Sequence, residues 1–298
     1  MTAITDPVIA VDIGGTKIAV AHIEAGAITK RLQIPTPRSG HGSDLTDAVA
    51  EQVRKITPSP QRLGVATTGM VDKGCLTALN PQTLPVENNY PIVAALRRRL
   101  GAEVLVVNDA QAAAFHESRH VTGNDTGRLA FITVSTGIGA GIVLDGQLQT
   151  GQHGLAGHAG HIVVDINGPL CGCGRRGCVE TLASGTAIAR RTSEITGREM
   201  STPAVFAGAH AGDERCAQVL EDAADALATM IGDLVAGLDL DLIRLGGGVG
   251  MVPGFLNRLR AAMDRLPEIY RRPIEPARGG ADAGLLGVAA LLDKNFRH

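Results

Sequence analysis

Residues 8–23 read VIAVDIGGTKIAVAHI and residues 129–144 read LAFITVSTGIGAGIVL. Val8–Ile13 has the composition of a buried strand, Gly14-Gly15-Thr16 that of a tight turn, and Lys17–Ile23 that of a strand returning beside the first. The later stretch repeats the plan, with a strand at Leu129–Val134, a glycine turn over Ser135–Gly141 and a returning strand at Ile142–Leu144. Two hairpins with glycine tips, over a hundred residues apart, predict a chain built from two copies of one α/β unit.

Outward from the first hairpin, the periodicity predicts a helix over Leu45–Ile56, a strand over Leu63–Thr68 running into Gly69, and a helix over Pro91–Leu100. A strand over Val104–Val107 ends in Asn108-Asp109, and the alanine-rich Ala110–Glu117 reads as helix. Beyond the second hairpin, helices are expected over Ser184–Glu194 and Ala217–Leu238. A strand over Asp241–Leu245 delivers Gly246-Gly247-Gly248, and helices over Phe255–Leu266 and Ala283–Leu292 follow. The expected domains are 1–117, with 283–298 packing on it, and 118–282. The polar stretch Ser118–Gly127 is the candidate hinge.

The chain has 298 residues, is 44% hydrophobic and carries 38 glycines, but has no Trp, two Tyr and five Phe. Its cores must come from Ala, Val, Leu and Ile. A net charge of -2 with so few aromatic platforms argues against nucleic acid as a partner. Apolar runs fall short of the about 18 residues of a membrane span. The opening MTAITDPVIAVDIGG lacks the basic and apolar regions of a signal peptide, so a cytoplasmic location is expected.

Residues 158–180, HAGHIVVDINGPLCGCGRRGCVE, space His161, Cys171, Cys173 and Cys178 as a closed set of one imidazole and three thiolates, the ligand set of structural zinc. A loop this rich in Gly and Pro buries no core of its own, and a metal would supply that stability. Cys75 and Cys216 read as ordinary small buried residues. Gly172–Gly177 fits the dinucleotide pattern G-x-G-x-x-G letter for letter, but follows no strand and is threaded with metal ligands.

Three glycine turns at strand ends point to phosphate: Asp12-x-Gly14-Gly15-Thr16-Lys17, Thr136-Gly137-x-Gly139-x-Gly141 and Gly246-Gly247-Gly248. Amides without side chains approach phosphate oxygens closely. Asp12 can hold hydrated Mg²⁺, and Lys17 can neutralise phosphate charge. Asp109, between a buried strand and a helix, can act as general base toward an attacking hydroxyl, or it can simply cap the helix.

These motifs, together with Gly157-x2-Gly160-His161 and the cysteine run through Glu180, resemble the ROK family of sugar kinases and repressors over essentially the whole chain. The resemblance implies an actin-like ATPase (ribonuclease H-like) α/β fold, with two domains around a cleft and a zinc-bound loop. It implies ATP, Mg²⁺ and a small-molecule sugar as partners, and a homodimer. By matching position, Asp109 would be the base, Asn108 and Glu180 would hold sugar hydroxyls, and His161 would serve both zinc and the sugar pocket. Asp12, Gly14, Gly15, Thr16, Lys17, Thr136, Gly137, Gly139 and Gly246 to Gly248 would hold the nucleotide. Gly69 and Asn80 would approach the sugar, and His153 reads as a loop residue.

The family's glucokinases and N-acetylglucosamine kinases usually carry Gly-Glu-x-Gly-His, where this chain has Gly157-His158-Ala159-Gly160-His161. Replacing an acceptor-only carboxylate by a ring that also donates should change the sugar epimer favoured. That string, with Ala66-Thr67-Thr68-Gly69 and Asp282–Gly287, is similar to the family's bacterial N-acetylmannosamine kinases, which implies a role in sialic acid breakdown. A glucose or N-acetylglucosamine kinase is the alternative, and a sugar-responsive regulator a further one. Repressors of the family carry a helix-turn-helix before the first glycine turn, and here eleven residues precede Asp12.

Overall fold

The computed structural model describes residues 7–79, 83–120 and 127–295. Asn80 lies outside the described residues, as do residues 121–126 of the expected hinge. Contacts divide the chain into two compact units, one of Met1–Val121, Gln147–Ala156 and Arg278–His298, the other of Thr122–Gly146 and Gly157–Ala277.

In chain order the first unit contains β1 (Val8–Ile13), β2 (Lys17–Glu24), β3 (Ala27–Pro35), α1 (Gly42–Ile56), β4 (Arg62–Thr67), β5 (Met70–Asp72), β6 (Cys75–Thr77), α2 (Ile92–Leu100), β7 (Glu103–Asn108) and α3 (Asp109–Ser118). Its sheet has the order β3-β2-β1-β4-β7, with β1 antiparallel to β2 and parallel to β4, and β4 parallel to β7. Alternate residues of a strand face opposite sides of its sheet. Ile9, Val11 and Ile13 join Leu45, Val49 and Leu96 of α1 and α2, while Val8 and Ala10 join a second cluster with Ala112 and Phe115 of α3. Both faces are covered, which is why β1 reads as a continuous apolar run.

The second unit contains β8 (Arg128–Val134) and β9 (Ile138–Leu144); the short β10 (Gln147–Gln149) falls in the first unit. There follow α4 (Glu180–Ala183), α5 (Gly185–Thr196), α6 (Thr202–His210), α7 (Glu214–Leu238), β11 (Leu242–Gly246), α8 (Pro253–Asp264) and β12 (Ile274–Pro276). Its strands run β9-β8-β11-β12, with β8 antiparallel to β9 and parallel to β11, and β11 parallel to β12. Those relations repeat β2-β1-β4-β7, so the predicted internal duplication is present in the sheets. The core joins Ile132, Ile243 and Leu245 to Leu220, Leu227 and Ile231 of α7 and to Phe255 of α8.

The final helix, α9 (Ala283–Asn295), belongs to the first unit, where Leu285, Val288 and Leu292 enter the cluster with Ala112 and Phe115. Glu117, fully buried near the end of α3, accepts from the backbone N–H groups of Arg278 (2.9 Å) and Gly279 (2.7 Å) just ahead of α9. A buried carboxylate needs such donors, and here they fix where the chain re-enters this unit.

The two hairpin tips differ from expectation in one respect. Val134 pairs with Ile138, so the second turn is only Ser135-Thr136-Gly137, and Gly139 and Gly141 are strand residues opposite Thr133 and Phe131. The glycine run reads as an extended turn by local propensity, but cross-strand pairing carries β9 through it. The helix α6, the strand β3 and the short strands β5, β6, β10 and β12 are not anticipated from the sequence pattern.

Candidate active site and metal centre

In the first unit, the parallel register of β1, β4 and β7 brings their C-terminal ends side by side, with Ile13 opposite Thr67 and Thr67 opposite Asn108. Asp12, Gly69, Asn108 and Asp109 therefore share one end of the sheet. Asn108, not Asp109, caps α3. Its side-chain oxygen accepts from the N–H groups of Ala110 (2.9 Å) and Gln111 (3.2 Å), and Gln111 returns a bond to the Asn108 N–H, completing a capping box. Asn108 Nδ2 donates to the Gly69 carbonyl at 3.0 Å. Asp109 is the first helical residue, with Oδ1 accepting from the Ala110 N–H at 2.7 Å.

Asp12 follows Val8 and Ala10 on the sheet face covered by small residues, and a Cβ at Gly284 of α9 would lie 3.5 Å from its Oδ2. Burial, reinforced by the charge of Asp109, raises the Asp12 carboxyl to about 7, against the pull of Lys17 and Arg31. Burial likewise raises Asp109. Two buried carboxylates facing each other ionise together only with a cation nearby. The adjoining turn is held through its carbonyls: Gly14 O accepts from Thr36 Oγ1 (2.7 Å), and Gly15 O accepts from Arg38 Nη1 (3.0 Å), which also reaches Thr83 O. A Cβ on Gly15 would meet Thr83 O at 2.7 Å, while Thr16 and Lys17 are exposed.

In the second unit, one ligand atom from each of His161, Cys171, Cys173 and Cys178 lies within 4.8 Å of the others. A tetrahedral zinc with Zn–S of about 2.3 Å and Zn–N of about 2.0 Å sets sulfurs about 3.8 Å apart and sulfur about 3.5 Å from nitrogen. The structure has Cys173 Sγ to Cys178 Sγ at 3.7 Å and Cys171 Sγ to His161 Nδ1 at 3.6 Å. The donor set fits zinc in type and spacing. Burial, with the neighbouring Cys173 thiol, pushes Cys178 up to about 12. Loading a metal there must therefore displace protons.

Glu180, the first residue of α4, follows two positions after the last of these cysteines. Its Oε2 accepts from the Ile138 N–H at 2.9 Å and would lie 2.7 Å from a Cβ on Gly137. The carboxylate braces the second glycine turn from beneath, a role the motif alone does not reveal. The same turn is anchored by residues that sequence reasoning missed: Gly185 N donates to Ser135 O (2.7 Å), and Thr186 Oγ1 donates to Thr136 O (2.9 Å). The signal available for them was Ser184, a helix N-cap whose Oγ accepts from the Ala187 N–H. His158 immediately precedes the turn of 3-10 helix at Ala159–His161, which packs on β9.

At the third turn the glycines differ. A Cβ on Gly247 would meet Val134 O at 2.3 Å and one on Gly246 the Phe131 ring at 2.7 Å, so both serve packing. Gly248 has open space around it. His153, expected as a loop residue, is exposed, 3.7 Å from Asp72 Oδ2.

A family model described as the ROK family matches residues 8–295. The chain is 44% identical over 281 residues to the N-acetylmannosamine kinase of Vibrio cholerae, covering 94% of this chain and 97% of that one. It is 44% identical to the N-acetylmannosamine kinase of Yersinia pestis, covering 94% and 96%. Among solved structures, a ROK hexokinase from Thermus thermophilus superposes with a TM-score of 0.86 at 32% identity, covering 98% of this chain and 99% of that one. A ROK glucokinase from Streptomyces griseus, in complex with glucose and AMPPNP, gives 0.79 at 28% identity, covering 97% and 100%. With the family model matching residues 8–295 and relatives 44% identical over 94% of its length, the chain belongs to the ROK family and has the ROK sugar-kinase fold.

Proposed function

We propose that this protein is an ATP-dependent kinase that phosphorylates the 6-hydroxyl of N-acetylmannosamine, giving N-acetylmannosamine 6-phosphate for sialic acid breakdown. The names of relatives 44% identical over 94% of the chain support the substrate. The observation that carries the chemistry is Asp109: Asn108 takes over helix capping, leaving a buried carboxylate with a raised proton affinity beside Asp12.

In this reading Asp109 accepts the proton of the 6-hydroxyl as that oxygen bonds to the γ-phosphorus, and the bond to ADP breaks. A general base with a raised pKa holds the proton more readily in the transition state than an ordinary carboxylate does. Asn108 Oδ1 is committed to the helix and one Nδ2 proton to Gly69, so its remaining N–H is what it offers a sugar hydroxyl. His158, His161 and Glu180 complete the sugar contacts, Glu180 through the oxygen not bound to Ile138. Mg²⁺, when bound, neutralises phosphate charge. Asp12 is the carboxylate to orient its water shell, and the amides of Gly14, Gly15, Thr136, Gly137 and Gly248 with Thr16 and Lys17 are the groups to hold phosphates. Zinc is structural, since four protein ligands leave no open position. We place the enzyme in the cytoplasm as a homodimer.

Turnover of ATP against N-acetylmannosamine, N-acetylglucosamine, glucose and mannose in parallel tests this assignment. A preference for N-acetylmannosamine of tenfold or more in kcat/KM, reduced by His158→Glu, is the expected result. A preference for glucose or N-acetylglucosamine in the unaltered protein would reassign the sugar and leave Asp109 in place.

A further inference from the structure

Wholly within the first unit lies a cavity of about 370 Å³. It is lined by β7, the edge strand of the first sheet, by the turn between β5 and β6, and by residues of the 147–154 segment. The volume lies within the range of small-molecule sites.

Its walls carry neutral hydrogen-bonding groups, one acid, Asp72, and one base, the exposed Lys73. Gln147, Thr150, Gln152 and Asp72 line it, with Leu148 and Leu291 as apolar lining. Asp72 Oδ1 is buried and accepts no hydrogen bond, although the other oxygen faces His153. A buried carboxylate oxygen without a donor is costly, and it points to a bound group that donates. Amides, one carboxylate and a small apolar face match the chemistry of a hydroxylated neutral ligand, whose O–H groups donate to the acid and whose C–H face covers the leucines.

Gln111 connects this cavity to the catalytic end. It lines the wall, its Nε2 donates to Ala156 O at 2.8 Å, and its Oε1 accepts from the Asn108 N–H at 3.3 Å. Ala156 directly precedes the Gly157-His158 motif in sequence, and Asn108 directly precedes Asp109. A ligand that shifts Gln111 therefore acts on the cap that orients Asp109.

We propose that this cavity is a second site, for a small neutral sugar or polyol, distinct from the substrate site and linked to Asp109 through Gln111. The choice of probe rests on the function proposed above; the site itself does not. The test is equilibrium binding of N-acetylmannosamine, and separately of glucose and glycerol, to the full chain by titration calorimetry. The expected result is a binding event, with at least one of the three, that Asp72→Leu weakens tenfold or more and that Asp109→Ala leaves in place. Asp72→Asn, which keeps an acceptor oxygen, should retain it, and turnover of Asp72→Leu at saturating substrate within twofold of the unaltered protein shows that the fold survives. If every event seen is lost in Asp109→Ala and unchanged in Asp72→Leu, or if none of the three probes binds outside the substrate site, the cavity holds only water and the proposal fails. Absence of any Asp109-dependent event in the unaltered protein would count against the kinase assignment and not against this site.

Discussion

The two glycine-tipped hairpins share a sheet topology and a position in their units, yet their tips are held by different chemistry. At the first, the turn ends a strand whose Asp12 is buried beside Asp109, and its carbonyls are tied down by Thr36 and Arg38. At the second there is no acid in the turn; Glu180 accepts from the Ile138 N–H, and Glu180 itself follows directly on the cluster of His161 and three cysteines. One copy of the frame thus carries ionisable groups under strain from burial, and the other presents backbone held in place beside a loop with a Cys/His cluster. Duplication repeats the scaffold, while the two copies differ in the side chains at their tips, charge in one and a Cys/His cluster beside the other.

The largest effect that bears on this contrast should come from Asp109→Asn. Loss of the general base is expected to lower kcat by about 10²- to 10⁴-fold, with the melting temperature unchanged or raised because a buried charge is removed. Near-normal turnover in that variant would show that the first copy does not hold the reacting proton.

Cys173→Ser acts on the other copy. It should abolish bound zinc, read by elemental analysis, and lower the melting temperature by about 10 °C or more. A metal-free protein with unaltered melting would mean that the loop supports itself and that the second turn needs no metal beneath it.

A smaller effect should appear in the pH dependence of stability. Between the ordinary carboxylate value near 3.8 and about 7, folded Asp12 keeps a proton that the unfolded chain has released. The stability this group contributes is present at low pH and lost as pH rises through that window, at up to about 1.4 kcal/mol per pH unit. Denaturant titrations from pH 4 to 7.5 should therefore show a shallower fall for Asp12→Asn than for the unaltered protein. Equal slopes would place Asp12 in contact with solvent.

The smallest effect separates two neighbouring glycines. Gly247, at φ +85° and with Val134 O in the way of a Cβ, should tolerate Ala poorly, at a cost of about 1–3 kcal/mol. Gly248→Ala should leave stability within about 0.5 kcal/mol and raise KM for ATP. If Gly248→Ala leaves KM unaltered, the third turn is a packing device throughout.

Much of this was legible in the chain. The apolar run of β1, the glycine tips and the spacing of His161 and the cysteines are local patterns, and each survives in the structure. Other features were not, for identifiable reasons. Gly139 and Gly141 look like turn residues until β8 pairs with them, because glycine has no side chain to declare a strand. Asn108 and Asp109 are equally good helix caps by composition, and only the bonds to Ala110 and Gln111 assign the role to Asn108. Gly246 and Gly248 are indistinguishable as letters, but one faces Phe131 and the other open space.

By itself the sequence determined the α/β class, the internal repeat and the grouping of His161 with Cys171, Cys173 and Cys178, since each depends on residue type at short spacing. Only the tertiary structure decided that Glu180 braces the second turn, that burial and the charge of Asp109 raise the proton affinity of Asp12, and that Glu117 receives the chain at Arg278. Those relations join residues up to 161 positions apart, and their energies come from burial and distance, which exist only once the sheets and helices have packed.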